Sequence, residues 1–272
     1  MCNKTNYCFG LPECGYGEVL DFMSTTKVNS WKTSSLPLTD FSKSTNEKRE
    51  QIEEKVANLR LSDSTLCFEY PTFPRKGGHL AGLPFRRGAS MTDIMIISDR
   101  YRIAIEGKYS EYIKDPAYGP TVADWYKGHE KKGSIKNDSK KSWYSFIRDM
   151  RQVNNMKEVN TIPYQFLHRV ASACFPCSNT RLIPIVCYQL FYDNFNSTKE
   201  KMQKFERVLK EAYESLGLTL RFLIWEVEIS NALKVRDQYK DSFEGLFLEM
   251  KNKEIFEFGE SKIIDIKDIH TD

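Results

Sequence analysis

The chain has 272 residues, a formal charge of +3 and 40% hydrophobic residues, enough for one large domain with a full core or two small ones, and too apolar for a disordered chain. No run approaches the ~18 apolar residues of a membrane span, and the opening Met1-Cys-Asn-Lys-Thr-Asn lacks the order of a secretory signal. Seven cysteines, an odd number, fit reduced thiols in a cytoplasmic protein with no membrane partner. The mild basicity permits a polyanionic partner without requiring one.

In chain order, residues 1–45 are rich in Asn, Ser, Thr and Lys without sustained periodicity. They read as an irregular N-terminal arm with at most one short helix near Val19–Met23. Ser44-Thr-Asn-Glu47 is a capping signal that predicts a helix over about 46–60, with Ile52, Val56 and Leu59 as its buried stripe. Thr65–Tyr70 reads as a strand and 75–90 as a Gly- and Arg-rich loop. Two apolar runs, Asp93–Ser98 and Tyr101–Tyr109, then read as a β-hairpin across Asp99-Arg100. A lysine-rich irregular stretch follows to 139. Helical spacing of Trp143, Phe146, Ile147, Met150, Val153 and Met156 predicts a helix over 140–159, and a second helix runs from Pro163 to about Cys174. Because Cys174-Phe-Pro-Cys177 closes a helix instead of opening one, its thiols read as structural. Arg181–Tyr192 is a strand apolar enough for burial on both faces. Helix 198–216, strand 219–229, a helix after 240 and an edge strand from Lys262 complete the chain. This order predicts an α/β fold, a mixed central β-sheet flanked by helices. Residues 46–272 form one domain, with a core over about 46–192 and a C-terminal extension over 193–272.

The hairpin carries the chemistry. If Ser98 and Tyr101 flank its turn, Asp93 falls opposite Glu106. Like charges so placed destabilise a sheet unless something offsets them. A divalent cation does so, since carboxylate oxygens are the usual ligands of Mg²⁺. Lys108, two residues on, shares the face of Glu106. Acidic-x-Lys triplets recur along this chain, and most read as solvated surface charge. The one at Glu106-Gly-Lys108 differs in having a strand around it. The plainer alternative is a half-exposed sheet with an ordinary Lys–carboxylate contact.

An acidic residue opening one strand and Glu-x-Lys in the next, here Asp93 and Glu106-Gly-Lys108, resembles the PD-(D/E)xK nuclease superfamily, whose restriction-endonuclease-like core runs αβββαβ. Phe68-Glu-Tyr-Pro, Thr92-Asp93, Ile105-Glu-Gly-Lys-Tyr109 and Tyr164-Gln-Phe-Leu-His-Arg169 resemble an uncharacterised bacterial branch of that fold. Met91-Thr92 stand where the classical pattern has Pro. The resemblance implies a metal-dependent nuclease that hydrolyses phosphodiester bonds of DNA, more than RNA, in restriction or defence. Asp93 and Glu106 would hold Mg²⁺, with Mn²⁺ able to substitute, and the Gly107 carbonyl, Glu69 and Glu53 would be further ligands. Lys108 would orient the attacking water, and Gln165 would contact DNA or that lysine. Arg75, Lys76, Arg86, Arg87, Lys131, Lys132 and Arg169 would grip phosphates, an affinity that falls with salt. Many members pair to cut both strands, which admits a homodimer. Two other readings stay open, a nucleic-acid-binding module that does not cut and a structural α/β protein.

Overall fold

A computed structural model describes residues 6–10, 13–26, 34–72, 90–109, 119–131, 154–155, 157–174, 182–193 and 198–267. Eight strands form one sheet in the order β2-β1-β3-β4-β5-β6-β7-β8. They are β1 (Asn6–Phe9), β2 (Glu13–Cys14), β3 (Thr65–Thr72), β4 (Ser90–Ile97), β5 (Tyr101–Lys108), β6 (Ile183–Tyr192), β7 (Arg221–Ile229) and β8 (Phe258–Asp265). The helices are α1 (Tyr16–Thr26), α2 (Ser35–Phe41), α3 (Gln51–Lys55), α4 (Val122–Lys131), α5 (Tyr164–Cys174), α6 (Thr198–Leu216), α7 (Ala232–Tyr239) and α8 (Phe243–Met250). The fold is therefore α/β with a mixed sheet, as the element order predicts.

Strands β3, β4 and β5 form an antiparallel meander. The chain then crosses over through α4 and α5 to bring β6 in parallel beside β5, and through α6 to bring β7 in parallel beside β6. Alternation sorts the side chains into two layers. Ile103, Ile105, Cys187 and Trp225 pack with α1, α2, α3, α7 and α8 on one face. Ala104, Val186, Tyr188 and Phe222 pack with α5 and α6 on the other. Burial of β6 on both faces accounts for its near-continuous apolar run.

Two expectations are corrected. The described part of residues 1–45 is not an irregular arm. β1 lies parallel to β3, and Leu20, Leu36, Leu38 and Phe41 are fully buried in the first core layer. Asp40, buried beside them, accepts the backbone N–H groups of Ile255 and Phe256 at 2.8 and 2.7 Å, which ties α2 to the C-terminal extension. The low hydrophobic density of this segment hid contacts made by few residues far away in the chain. The helix expected over 46–60 is shorter. Asn46 caps a 3-10 turn, accepting from Lys48 N–H at 3.0 Å, and α3 ends where Val56 turns extended. Its stripe of Ile52, Val56 and Leu59 is buried as expected. Most of the helix expected over 140–159 lies outside the described residues. No helix among the described residues is long and apolar enough to cross a membrane.

Candidate active site at a split in the sheet

Pairing between β4 and β5 runs from Ile97↔Arg102 to Ile94↔Ile105, the register that a two-residue turn at Asp99-Arg100 predicts. Beyond Ile94 and Ile105 the two strands part. β4 stays with β3, Thr92 opposite Tyr70 and Ser90 opposite Thr72. β5 stays with β6, Glu106 opposite Tyr188 and Lys108 opposite Leu190. Asp93 and Glu106 are thus the first residues past the last pair, one on each side of a gap. The Gly107 N–H, which a continued ladder would give to a backbone carbonyl, instead donates to Asp93 Oδ2 at 2.9 Å.

A third carboxylate joins from β3. Pairing of β3 with β4 continues on both sides of Glu69 and Asp93 but skips that pair, and Glu69 has φ +49°. A side chain in this left-handed region costs about 1–2 kcal/mol, and such strain gathers where a residue must be aimed. The Asp93 carboxyl is pushed up to about 8, first by burial, then by Glu106 and then by Glu69, against the pull of Lys108 and Arg169. Glu69→Gly should therefore raise stability by about 1 kcal/mol, measured by urea unfolding.

Two cations answer the carboxyls. Lys108 Nζ lies 2.8 Å from Glu106 Oε1. Arg169, from α5, places Nε 3.0 Å from Glu106 Oε2, too obliquely for a hydrogen bond, while its Nη2 donates to Met91 O at 2.7 Å. Arg169 therefore touches both sides of the gap. Glu106, Lys108 and Arg169 are buried, and Asp93 is half-buried.

Helix α5 is anchored at its start. Tyr164 N–H donates to Pro120 O at 3.1 Å and Val122 N–H to Ile162 O at 3.0 Å, fixing α4 beside it. Trp125 stacks on Tyr164 at 4.0 Å and 8°, and His168 lies 3.9 Å from Tyr164. Burial and then the Arg169 charge lower the His168 pKa to about 3, so its imidazole stays neutral and offers no charge to a phosphate. Burial raises the Tyr164 hydroxyl to about 12, with Arg169 lowering it and Glu106 raising it.

The structure brings together Glu69, Asp93, Glu106, Lys108 and Arg169. It gives Arg169 contacts to Glu106 and Met91. Gly107 donates its N–H to Asp93. Its lack of a side chain serves close packing, since a Cβ there would lie 3.0 Å from Leu38 Cδ2. Glu53 does not join the cluster. It sits on α3, next to Ile52 in the opposite layer, and its carboxylate accepts the N–H of Leu61. Gln165 is exposed, one turn before Arg169. Arg75, Lys76, Arg86, Arg87 and Lys132 lie outside the described residues, as does the side chain of Lys131. Tyr188 was missed by sequence reasoning. Burial holds its hydroxyl well above its usual pKa, and Glu106, Arg169 and Asp93 act on it. Only its parallel pairing with Glu106 places it there, and no local signal encodes that register.

Among the described residues, no three His, Cys, Asp or Glu side chains are grouped so as to hold a metal ion. The fit is one of donor chemistry. Asp93 and Glu106 stand on either side of one gap, and burial first, then the charges of Glu106 and Glu69, disfavours the ionised form of Asp93, a cost that a hard divalent cation would offset.

No curated protein and no solved structure matches the chain. A family model described as Domain of unknown function (DUF6946) matches residues 19–228, a span that holds the meander, the gap and Arg169. The chain therefore belongs to the DUF6946 family.

Proposed function

We propose that this protein is a metal-dependent nuclease that hydrolyses phosphodiester bonds, of DNA in preference to RNA, on a restriction-endonuclease-like core. The observation that carries the reading is the parting of β4 and β5, which leaves Asp93, Glu106 and Lys108 around one opening with Glu69 beside them. The order α3-β3-β4-β5-α5-β6, antiparallel and then parallel, supports it as an αβββαβ core. A Mg²⁺ or Mn²⁺ ion held at Asp93 and Glu106 would neutralise charge on the scissile phosphate and make a water more acidic. Lys108, fixed by its ion pair, orients that water and stabilises charge developing on the phosphoryl oxygens. The Gly107 N–H orients the Asp93 carboxylate. A role in restriction or defence and pairing of two copies belong to the same proposal.

The test is cleavage of plasmid, linear duplex, single-stranded DNA and RNA with Mg²⁺ or Mn²⁺, by wild type and Lys108→Ala. Wild type should cut at least one substrate. Lys108→Ala should lose at least about 10²-fold in rate while still binding Mn²⁺. A second reading, a nucleic-acid-binding module that does not cut, is favoured by one observation: Glu106 is already neutralised by Lys108 and Arg169. It predicts binding of these substrates with no cleavage under any metal.

A further inference from the structure

Arg169 is built into the gap in an unusual way. It is 4% exposed, and its guanidinium spans the split, with Nη2 on Met91 O of β4 and Nε against Glu106 of β5. Its Nε contact is poorly angled, and its buried Nη1 has no hydrogen-bond partner among the described residues. A buried donor without an acceptor is unfavourable, so among the described residues this arginine is under-satisfied. The planar fork of a guanidinium matches the paired oxygens of a phosphodiester better than one oblique carboxylate oxygen. Glu106, in turn, has a cation at each oxygen, and an incoming divalent ion would compete with them for those oxygens.

We propose that Arg169 is a positioning residue that latches the gap by occupying Glu106, and that a substrate phosphodiester draws the guanidinium away and frees Glu106 for the cation. This rests on the nuclease reading and adds a rule to it: anion and cation enter together. Coupling of this kind is reciprocal, each ligand tightening the other by the same factor. The latch spares the cluster the repulsion of uncompensated carboxylates between turnovers. It also restricts metal loading to complexes that hold a phosphodiester.

The experiment is calorimetric titration of Mn²⁺ into the full chain, with and without saturating dimethyl phosphate as the phosphodiester probe. Wild type should bind Mn²⁺ on the order of tenfold tighter with the probe present. Arg169→Met should bind Mn²⁺ more tightly than wild type without the probe, because the competing cation is gone, and should lose most of the coupling. Should Arg169→Met fail to fold, Arg169→Lys, which cannot fork between Glu106 and Met91, should show weaker coupling than wild type. Mn²⁺ binding that depends on Asp93 but ignores dimethyl phosphate overturns the latch and leaves the nuclease reading standing. Coupling of equal size in wild type and either variant also overturns the latch, since the probe then acts on the metal directly. Absence of any Asp93-dependent Mn²⁺ binding overturns both.

Discussion

Asp93→Asn should abolish metal-dependent cleavage and Mn²⁺ binding while making the metal-free protein more stable. The two effects have one cause. Burial and the neighbouring Glu106 and Glu69 lift the Asp93 carboxyl from 3.8 to about 8, so the folded state resists its ionisation. A carboxyl raised on folding contributes stability that is complete below its unfolded pKa and lost as pH rises through its folded one. Wild type should therefore lose stability between 3.8 and about 8, and Asp93→Asn should not lose that share. Each unit of such a shift corresponds to about 1.4 kcal/mol, so the difference should be on the order of a few kcal/mol. Asparagine can still accept the Gly107 N–H, which preserves the local backbone. Urea unfolding at several pH values, run in parallel with Mn²⁺ calorimetry, measures both effects. Equal pH dependence in the two proteins would show that Asp93 is not strained by its neighbours. Added Mn²⁺ should stabilise wild type most at high pH, where the site has lost its proton, and leave Asp93→Asn unchanged.

Phe41→Ala should unfold the protein more readily by about 3–5 kcal/mol, the largest effect expected from a residue remote from the gap. Phe41 is 1% exposed and meets three rings edge-on, Trp225 at 5.1 Å, Phe258 at 5.0 Å and Phe191 at 6.1 Å. Those rings come from β7, β8 and β6, so a single side chain of α2 joins the start of the chain to its far end. Removing it leaves a cavity bordered by three strands that the sheet holds in place and that cannot collapse to fill it. Denaturant unfolding with an unchanged m-value would locate the loss in packing. A loss below about 1 kcal/mol would mean that the N-terminal segment docks loosely, as the arm-like composition of residues 1–45 predicts.

The site was legible where it depends on local geometry. A two-residue turn sets the hairpin register, and alternation then puts Lys108 on the face of Glu106, so the sequence alone suffices to group Asp93, Glu106 and Lys108. Helices α5 and α6 were legible for the same reason: start signals and apolar period are properties of neighbouring residues. Only the tertiary structure decided that the hairpin splits at Asp93, because that follows from β3 and β6 each holding one strand. It also decided that Arg169 reaches Glu106, across 63 positions of sequence, and that Glu53 faces the other layer. The N-terminal segment joined the core through a handful of residues such as Leu38 against Gly107 and Phe41 against Trp225. Contacts between residues distant in the chain leave no periodic trace in a single sequence. The residue types needed for the chemistry, and their places along the hairpin, are written locally, whereas the partners that charge, orient and bury them are set by how the sheet is assembled.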